Sequence, residues 1–425
     1  MKQSIQLTIE KPIYGGDFLS RREGKTVFVP MTLPGETVSA HITEEKRSFA
    51  KAEIDAVLTA SSHRITPNCP YFGSCGGCHY QHTDYPTQVA LKQQILRETL
   101  TRNGVPIPVE LGILAGAPWV YRNRIRLALT PDGEFAYRSR RSHDLIAIRT
   151  CPIAAPLLLR TATQVAEFLA KSQMRISELE LFTNRDESEL LLTLFTETAP
   201  ASDTHAWLRS LQATLPQPTS GIRLQLNDGG LNPQLLAAIG QPSLTYTAAG
   251  IPYRVDHGAF FQVNRHLVDE FVSLAVTNLS GETAWDLYAG VGLFARQLSA
   301  SFAQIIAVES APASQEALQY NLNGAEAKAI NSTTLDFLRR NRERREPRPD
   351  LIVLDPPRAG LGEETCQLLN AIHAPAMVYV SCDPSTLARD LRQLIQERYI
   401  IDNVTLVDMF PQTFHLETVV HLRRA

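Results

Sequence analysis

The feature that most constrains this chain is a strict alternation in its last 180 or so residues. Apolar strand-like runs (TAWDLYAG, QIIAVES, DLIVLDPP, AMVYVSCDP and NVTLVDMF) are separated by segments with helical periodicity. Apolar runs of strand length that regularly exchange with amphipathic helices predict a parallel sheet covered by helices on both faces. Ligands of such sheets bind beyond the carboxyl ends of the strands, so chemistry is expected in the residues that directly follow each run.

Upstream the patterning changes twice. Residues 1–60 alternate apolar and polar positions in short stretches (SIQLTIE, KTVFVP, TVSAHI, AEIDAVL) broken by Gly15-Gly16 and Pro34-Gly35, the pattern of a small all-β module. Residues 61–246 read as mixed α/β. Within them, TQVALKQQILRETLTRNG is helix-like, and WVYRNRIRLALT and EFAYRSRRSHDLIAI form a hairpin about Asp132-Gly133. Seven arginines and three acids fall between Trp119 and Arg149. On a strand, Arg122, Arg124 and Arg126 would share one face, either simply solvated or available to track phosphates.

The 425 residues give room for three domains, 1–60, 61–246 and 247–425, each able to bury a core. Lys plus Arg number 41 against 44 Asp plus Glu, so a polyanionic partner would have to meet a local patch. The first residues lack the apolar stretch of a secretory signal, and no apolar run is long enough to span a membrane. A soluble cytoplasmic protein is expected, with no membrane association and no obligate protein partner evident.

Six cysteines are too few for a disulfide framework in a chain of this length. Four of them, Cys69, Cys75, Cys78 and the distant Cys151-Pro152, would supply a tetrahedral zinc or a four-iron cluster. Spacing alone does not choose between the two, and His79 or His82 could replace a thiolate in a zinc site. The uneven spacing, the Gly76-Gly77 pair and Cys-Pro favour the cluster.

In the C-terminal part, Asp286-Leu-Tyr-Ala-Gly290-Val-Gly292 turns from strand to helix, and Glu309 ends the next strand about 20 residues on. An acid there can accept hydrogen bonds from ribose hydroxyls. The missing third glycine and phosphate partner point away from NAD, while S-adenosylmethionine has a ribose and no phosphate. Asp355-Pro-Pro-Arg358 places a carboxylate at the same edge. Cys382 sits just past a buried strand and before a helix start at Ser385 or Thr386, where a thiol can be activated as a nucleophile. Cys366 reads as a packing residue.

With these motifs in view, FFQVN (260–264), DLYAGVG (286–292), LDPPRAG (354–360), SCDPSTLARD (381–390) and FPQTFHLETV (410–419) together resemble the RNA uracil-5-methyltransferase family. The likeness is strongest to its iron-sulfur members acting on 23S ribosomal RNA. The N-terminal module, with Gly15-Gly16, TVFVP and LPGE, is similar to a TRAM domain, an OB-like RNA-binding β-barrel. The resemblance implies an OB-like barrel, a central α/β domain holding a [4Fe-4S] cluster on Cys69, Cys75, Cys78 and Cys151, and a Rossmann-like methyltransferase domain.

It further implies S-adenosylmethionine contacts at Gln262, Tyr288, Glu309 and Asp355. Cys382 would be the nucleophile that adds to uracil C6, and Glu417 the base that removes the C5 proton. Spacing alone would read Glu417 as an exposed strand carboxylate. The expected partner is RNA, 23S ribosomal RNA or alternatively tRNA, with the target uridine flipped out of its stack. An amino-group methyltransferase built on DPPR would leave Cys382 and Glu417 without a task. A non-catalytic iron-sulfur RNA-binding protein would show degraded motifs, and none is visible.

Overall fold

The computed structural model of the chain describes residues 4–108, 110–199, 203–227, 233–342 and 348–425. Residues 343–347 of the Arg-rich segment 339–349 lie outside the described residues. Strands β1 (Ser4–Pro12), β2 (Asp17–Arg22), β3 (Lys25–Pro30), β4 (Thr37–Glu45) and β5 (Phe49–Thr59) close into a barrel in the order β1-β2-β3-β5-β4. Their period-two pattern delivers Ile5, Leu7, Ile9, Phe18, Val27, Val29 and Val38 to one core.

After the cysteine loop, helix α1 (Tyr85–Arg102) begins two residues before the helix-like stretch read from the sequence. Asp84 caps it by accepting from Thr87 N, and Pro86 occupies the first turn, where its missing N–H costs nothing. Ile95, Leu96 and Leu100 pack into the core of the C-terminal sheet, whereas Leu91 joins the barrel core. At about 1.5–3 kcal/mol for each fully buried side chain, one helix welds the two ends of the chain together. Short β6 (Gly112–Leu114) then adds to the edge of that same sheet, pairing with residues 405–407.

The middle of the chain forms a sheet ordered β13-β12-β11-β10-β7-β8-β9 among the described residues. It comprises β7 (Arg124–Leu129), β8 (Phe135–Arg138), β9 (Leu145–Ala147), β10 (Glu178–Thr183), β11 (Leu190–Thr196), β12 (Thr219–Leu226) and β13 (Gln234–Gly240). Helices α2 (Pro156–Leu169) and α3 (Thr204–Gln212) share its core.

The expected hairpin differs in two ways. Its returning strand is broken into β8 and β9, because the chain leaves the sheet at Ser139 to pair with the cysteine loop, where Gly76 N donates to Arg138 O (3.1 Å) and Arg140 N to Ser74 O (2.8 Å). Arg122 also precedes β7, so only Arg124 and Arg126 share a strand face. Arg124 lies 4.1 Å over the Phe182 ring and donates to Ala259 O (2.7 Å), and Arg126 pairs with Glu178. The arginines hold the protein together rather than forming a bare phosphate track.

A hairpin of β14 (Ser243–Ala248) and β15 (Ile251–Asp256) and helix α4 (Val268–Val276) lead into the C-terminal sheet. This sheet contains β16 (Gly281–Leu287), β17 (Phe302–Glu309), β18 (Ala327–Asn331), β19 (Leu351–Leu354), β20 (Ala376–Ser381), β21 (Tyr399–Val407) and β22 (Glu417–Arg424). The order is β18-β17-β16-β19-β20-β22-β21-β6. Helices α5 (Leu293–Leu298) and α6 (Pro312–Asn321) pack with α4 on one face. Helices α7 (Thr334–Asn341), α8 (Glu363–Ile372) and α9 (Pro384–Glu397) pack with α1 on the other.

The five strands read from the sequence all form, and β16 to β20 run parallel as expected. One departure matters for chemistry: β22 inserts antiparallel between β20 and β21, so its first residue lies beside the end of β20. No helix among the described residues is long and apolar enough to cross a membrane.

Candidate active site

The carboxyl ends of β16, β17, β19 and β20 converge on one edge, and most of the expected site residues stand there. After β16, Tyr288 adopts a left-handed conformation (φ 66°), unusual for a residue with a side chain. Gly292 then enters α5 with φ 89°, a left-handed conformation that favours glycine, and a Cβ there would lie 2.9 Å from Leu318 Cδ1. Glu309, closing β17, accepts from Gly290 N (2.8 Å) through Oε2 and from Ser310 N and Ala311 N (2.6 Å each) through Oε1. These bonds fix the carboxylate while Oε2 retains acceptor capacity.

Asp286, buried under the turn, accepts from Ala295 N (2.8 Å), and desolvation lifts its carboxyl to about 7. Only its motif had been quoted from the sequence. Gln262 is buried on the segment before α4, where its carbonyl accepts from Asn123 Nδ2 (3.0 Å) and its neighbour Val263 O from Asn123 N (3.0 Å).

Asp355 follows β19, Cys382 follows β20, and Glu417 opens β22, whose Thr418 is paired with Ser381. Strand order therefore brings together residues 27 and 35 positions apart. Glu417 is 4% exposed, not a solvated strand acid, and its Oε1 is buried without a hydrogen-bond partner. Burial raises its carboxyl well above the ordinary range, and Asp355 adds like-charge repulsion that Arg358 partly offsets. Desolvation lifts Asp355 to about 7. The Cys382 thiol is pushed up to about 12, first by burial and then by Glu417 and Asp355, against a lowering by Arg358.

At this helix start, burial and the two carboxylates therefore outweigh any lowering of the thiol. Asp383 is the N-cap of α9 and takes the first-turn donors Ser385 N (2.8 Å) and Thr386 N (3.1 Å) for itself.

Two sequence motifs prove to be halves of one support. Asp390 of SCDPSTLARD is fully buried and accepts from Leu361 N (2.7 Å), Tyr379 OH (2.8 Å) and the Arg389 guanidinium, while Arg389 also donates to Ala359 O (2.8 Å). The loop carrying Asp355 and Arg358 is thus pinned to α9.

The loop before Glu417 is held from the other side. Lys92 of α1 forms a fully buried pair with Asp408 (2.6 Å) and donates to Phe410 O (3.0 Å). Gln88 Nε2 donates to Gln412 Oε1 (2.9 Å) and Gln88 Oε1 accepts from Gln412 N (3.0 Å), while the Gln412 carbonyl accepts from His79 N (2.8 Å) and Tyr80 N (3.0 Å) of the cysteine loop. Nothing in the local sequence around Gln88 or Lys92 reveals these partners, more than 300 residues away.

Cys69, Cys75, Cys78 and Cys151 all line one cavity of about 890 Å³, with Tyr71, Phe72, Arg122 and Phe414 among its walls. They are free thiols, and Cys75, Cys78 and Cys151 are raised first by burial and further by one another, Cys78 to about 12. Among the described residues no three His, Cys, Asp or Glu side chains approach closely enough to hold a single metal ion. Of the two histidines weighed as ligands, His82 Nε2 bonds Thr32 O (3.0 Å) and its ring stacks on Phe72, and the His79 ring meets Phe414 edge-on; the Nδ1 of each is buried without a hydrogen-bond partner. Cys366 is fully buried in α8, as a packing residue should be.

A closed N-terminal barrel followed by this sheet edge defines a barrel-bearing protein of the S-adenosylmethionine-dependent methyltransferase fold. Residues 3–54 match the TRAM domain and residues 241–425 match the tRNA (Uracil-5-)-methyltransferase family. Over its whole length the chain is 32% identical to a 23S rRNA (uracil(1939)-C(5))-methyltransferase RlmD of Shewanella amazonensis, covering 98% of this chain and 95% of that one. It is 31% identical to an uncharacterized RNA methyltransferase of Nitratidesulfovibrio vulgaris, over 99% and 96% of the two chains.

Among solved structures, the Pyrococcus abyssi tRNA (uracil-54, C5)-methyltransferase in complex with S-adenosyl-L-homocysteine superposes with a TM-score of 0.79 at 23% identity, over 98% of this chain and 100% of that one. The chain belongs to the S-adenosylmethionine-dependent RNA uracil-5-methyltransferase family.

Proposed function

We propose that this protein methylates C5 of a uridine in RNA, with 23S ribosomal RNA as the first candidate substrate and tRNA as the second, through a covalent bond between Cys382 and uracil C6. The observation that carries the reading is the meeting of Cys382, Asp355 and the buried, unpartnered Glu417 at one sheet edge. Uracil C5 is a weak nucleophile until C6 is occupied. Addition of the Cys382 thiolate forms the S–C6 bond and moves the C5=C6 electron pair into an enolate with density on C5.

S-adenosylmethionine, held by Gln262, Tyr288, Glu309 and Asp355, supplies an electrophilic methyl group. Glu417 then accepts the C5 proton, the double bond re-forms and the S–C6 bond breaks, returning the thiolate. An amino-group target would give neither Cys382 nor Glu417 anything to do.

The RlmD relatives favour ribosomal RNA, while the tRNA enzyme shares the fold. The test is incubation with methyl-labelled S-adenosylmethionine and, separately, unmodified 23S ribosomal RNA or tRNA, followed by nucleoside analysis. Label in 5-methyluridine from ribosomal RNA supports the reading, label from tRNA alone moves the target, and label on an exocyclic amino group defeats it.

For the cysteine cavity we propose a [4Fe-4S] cluster on Cys69, Cys75, Cys78 and Cys151. Four cysteine thiols lining one cavity match the ligand number of such a cluster, in which each thiolate would bind a different iron. Methyl transfer is redox-neutral, so its role here is structural, ordering the loop that bonds Gln412.

The carboxylates give the cofactor step a pH signature. Burial raises the Asp355 carboxyl to about 7, and a cation bound beside it would favour the ionised form, so S-adenosylmethionine affinity should fall as pH drops below 7. We expect its Kd to rise about tenfold from pH 8 to pH 6, with little change for S-adenosylhomocysteine, whose sulfur is neutral. Equal pH dependence of the two ligands, measured by calorimetry, would remove Asp355 from the neighbourhood of the sulfonium.

A further inference from the structure

One residue of the RNA-binding barrel reaches the reacting edge. Tyr14 lies in the turn between β1 and β2, and its hydroxyl donates to the backbone carbonyl of Cys382 (3.1 Å), 368 residues along the chain. The turn is built to be inserted. Ile13 N bonds Asp17 O (3.0 Å) across it, and Gly15 and Gly16 take φ of 109° and 89°. A Cβ on Gly16 would lie 2.9 Å from the His79 ring and 3.2 Å from the Phe414 ring.

The Tyr14 ring packs edge-on against Phe414 (5.4 Å), three residues before Glu417, and Asp17 forms a two-pronged ion pair with Arg141 (2.5 and 2.7 Å) that fastens the turn from outside. Burial, followed by Asp383, raises the Tyr14 phenol, so the hydroxyl stays a donor over the whole working range.

We propose that Tyr14 is a positioning residue for the nucleophile, so that the barrel sets the aim of Cys382 as well as binding RNA. This rests on Cys382 being the nucleophile. The carbonyl that Tyr14 holds belongs to Cys382 itself, at a point where the chain has left β20 and has not yet entered α9. Among the described residues its carbonyl has no strand-ladder partner, and the N–H of the same peptide makes only a long bond to Ser381 Oγ (3.4 Å). The phenol restrains its rotation, and with it the direction of the Cα–Cβ bond that carries the sulfur. A misdirected nucleophile loses far more rate than one hydrogen bond is worth in stability, because attack depends on approach within a few tenths of an ångström.

The test compares wild type, Tyr14→Phe and Cys382→Ala, all as full chains, on 5-fluorouridine-substituted 23S ribosomal RNA and tRNA transcripts. The rate of covalent trapping is read on denaturing gels, and RNA affinity, cofactor affinity and melting temperature are measured alongside. Tyr14→Phe keeps the ring and removes only the donor. Its trapping rate at saturating RNA is expected to fall between about tenfold and a hundredfold, with RNA and cofactor Kd unchanged within about twofold.

Trapping at the wild-type rate would overturn the proposal. So would a loss carried wholly by RNA affinity or by melting temperature, since it would reduce Tyr14 to a docking contact. If wild type forms no adduct with either RNA, or Cys382→Ala still does, the nucleophile assignment falls and the inference falls with it. That outcome is distinct from an intact wild-type adduct with an unaffected Tyr14→Phe.

Discussion

Cys382→Ala is expected to abolish methylation, with turnover down at least about 10⁴-fold, and to leave the protein folded and able to bind S-adenosylmethionine. The size follows from the chemistry. Without a sulfur at C6 the pyrimidine keeps its C5=C6 bond and presents no electron-rich carbon to a methyl donor, and Glu417 has no reason to take a proton. The stability change should be small, below about 1 kcal/mol, because Cys382 is half-buried at a sheet edge and is not part of the packed core.

The sharper readout is 5-fluorouridine RNA. Wild type should form a complex that survives denaturation, since fluorine at C5 cannot leave as a proton does and the S–C6 bond is trapped. Cys382→Ala should form none. Normal turnover by this variant would overturn the mechanism.

How much of this site could be read in advance depended on how local each signal was. The strands β16, β17, β19 and β20 were legible because a buried parallel strand is a continuous apolar run that advertises itself within eight residues, and β21 because its second half is such a run. The places of Glu309, Asp355 and Cys382 at the ends of such runs were legible for the same reason, whereas Tyr288 and Gln262 were named only from the family resemblance. Glu417 was not legible physically. In the run ETVVHLRR it looks like a solvated strand end, and its burial exists only because β22 returns antiparallel beside β20, a matter of strand order that no window of sequence contains.

The returning strand after Asp132-Gly133 was misjudged because pairing of Ser74 and Gly76 with residues 138–140 competes with sheet continuation. Arg122, Arg124 and Arg126 do not form one row because Arg122 lies outside β7, and Phe182, Ala259 and Glu178, from other segments, engage Arg124 and Arg126. Tyr14 lay beside a visible Gly15-Gly16 signal, but its partner was at the other end of the chain.

Glu417→Gln separates the two halves of the reaction. Glutamine has nearly the shape of glutamate, so the packing around this buried position is kept, while the proton acceptor is lost. Addition of the thiolate to C6 does not consume the proton acceptor that is lost, so adduct formation should proceed as in wild type. What fails is the exit: with C5 methylated and its proton retained, the double bond cannot re-form and the sulfur cannot leave.

Multiple turnover is expected to drop about 10²- to 10⁴-fold, with a covalent, methylated protein–RNA complex accumulating on ordinary uridine RNA, where wild type shows none at steady state. Mass analysis of the crosslinked nucleotide distinguishes this from a stall before methyl transfer. An adduct lacking the methyl group would place Glu417 earlier in the reaction, in activation of the Cys382 thiol. Unimpaired turnover would mean that the buried carboxylate is tolerated for structural reasons and that the proton leaves by another route, for which Asp355, on the neighbouring strand end and already near 7, is the remaining acceptor at this edge.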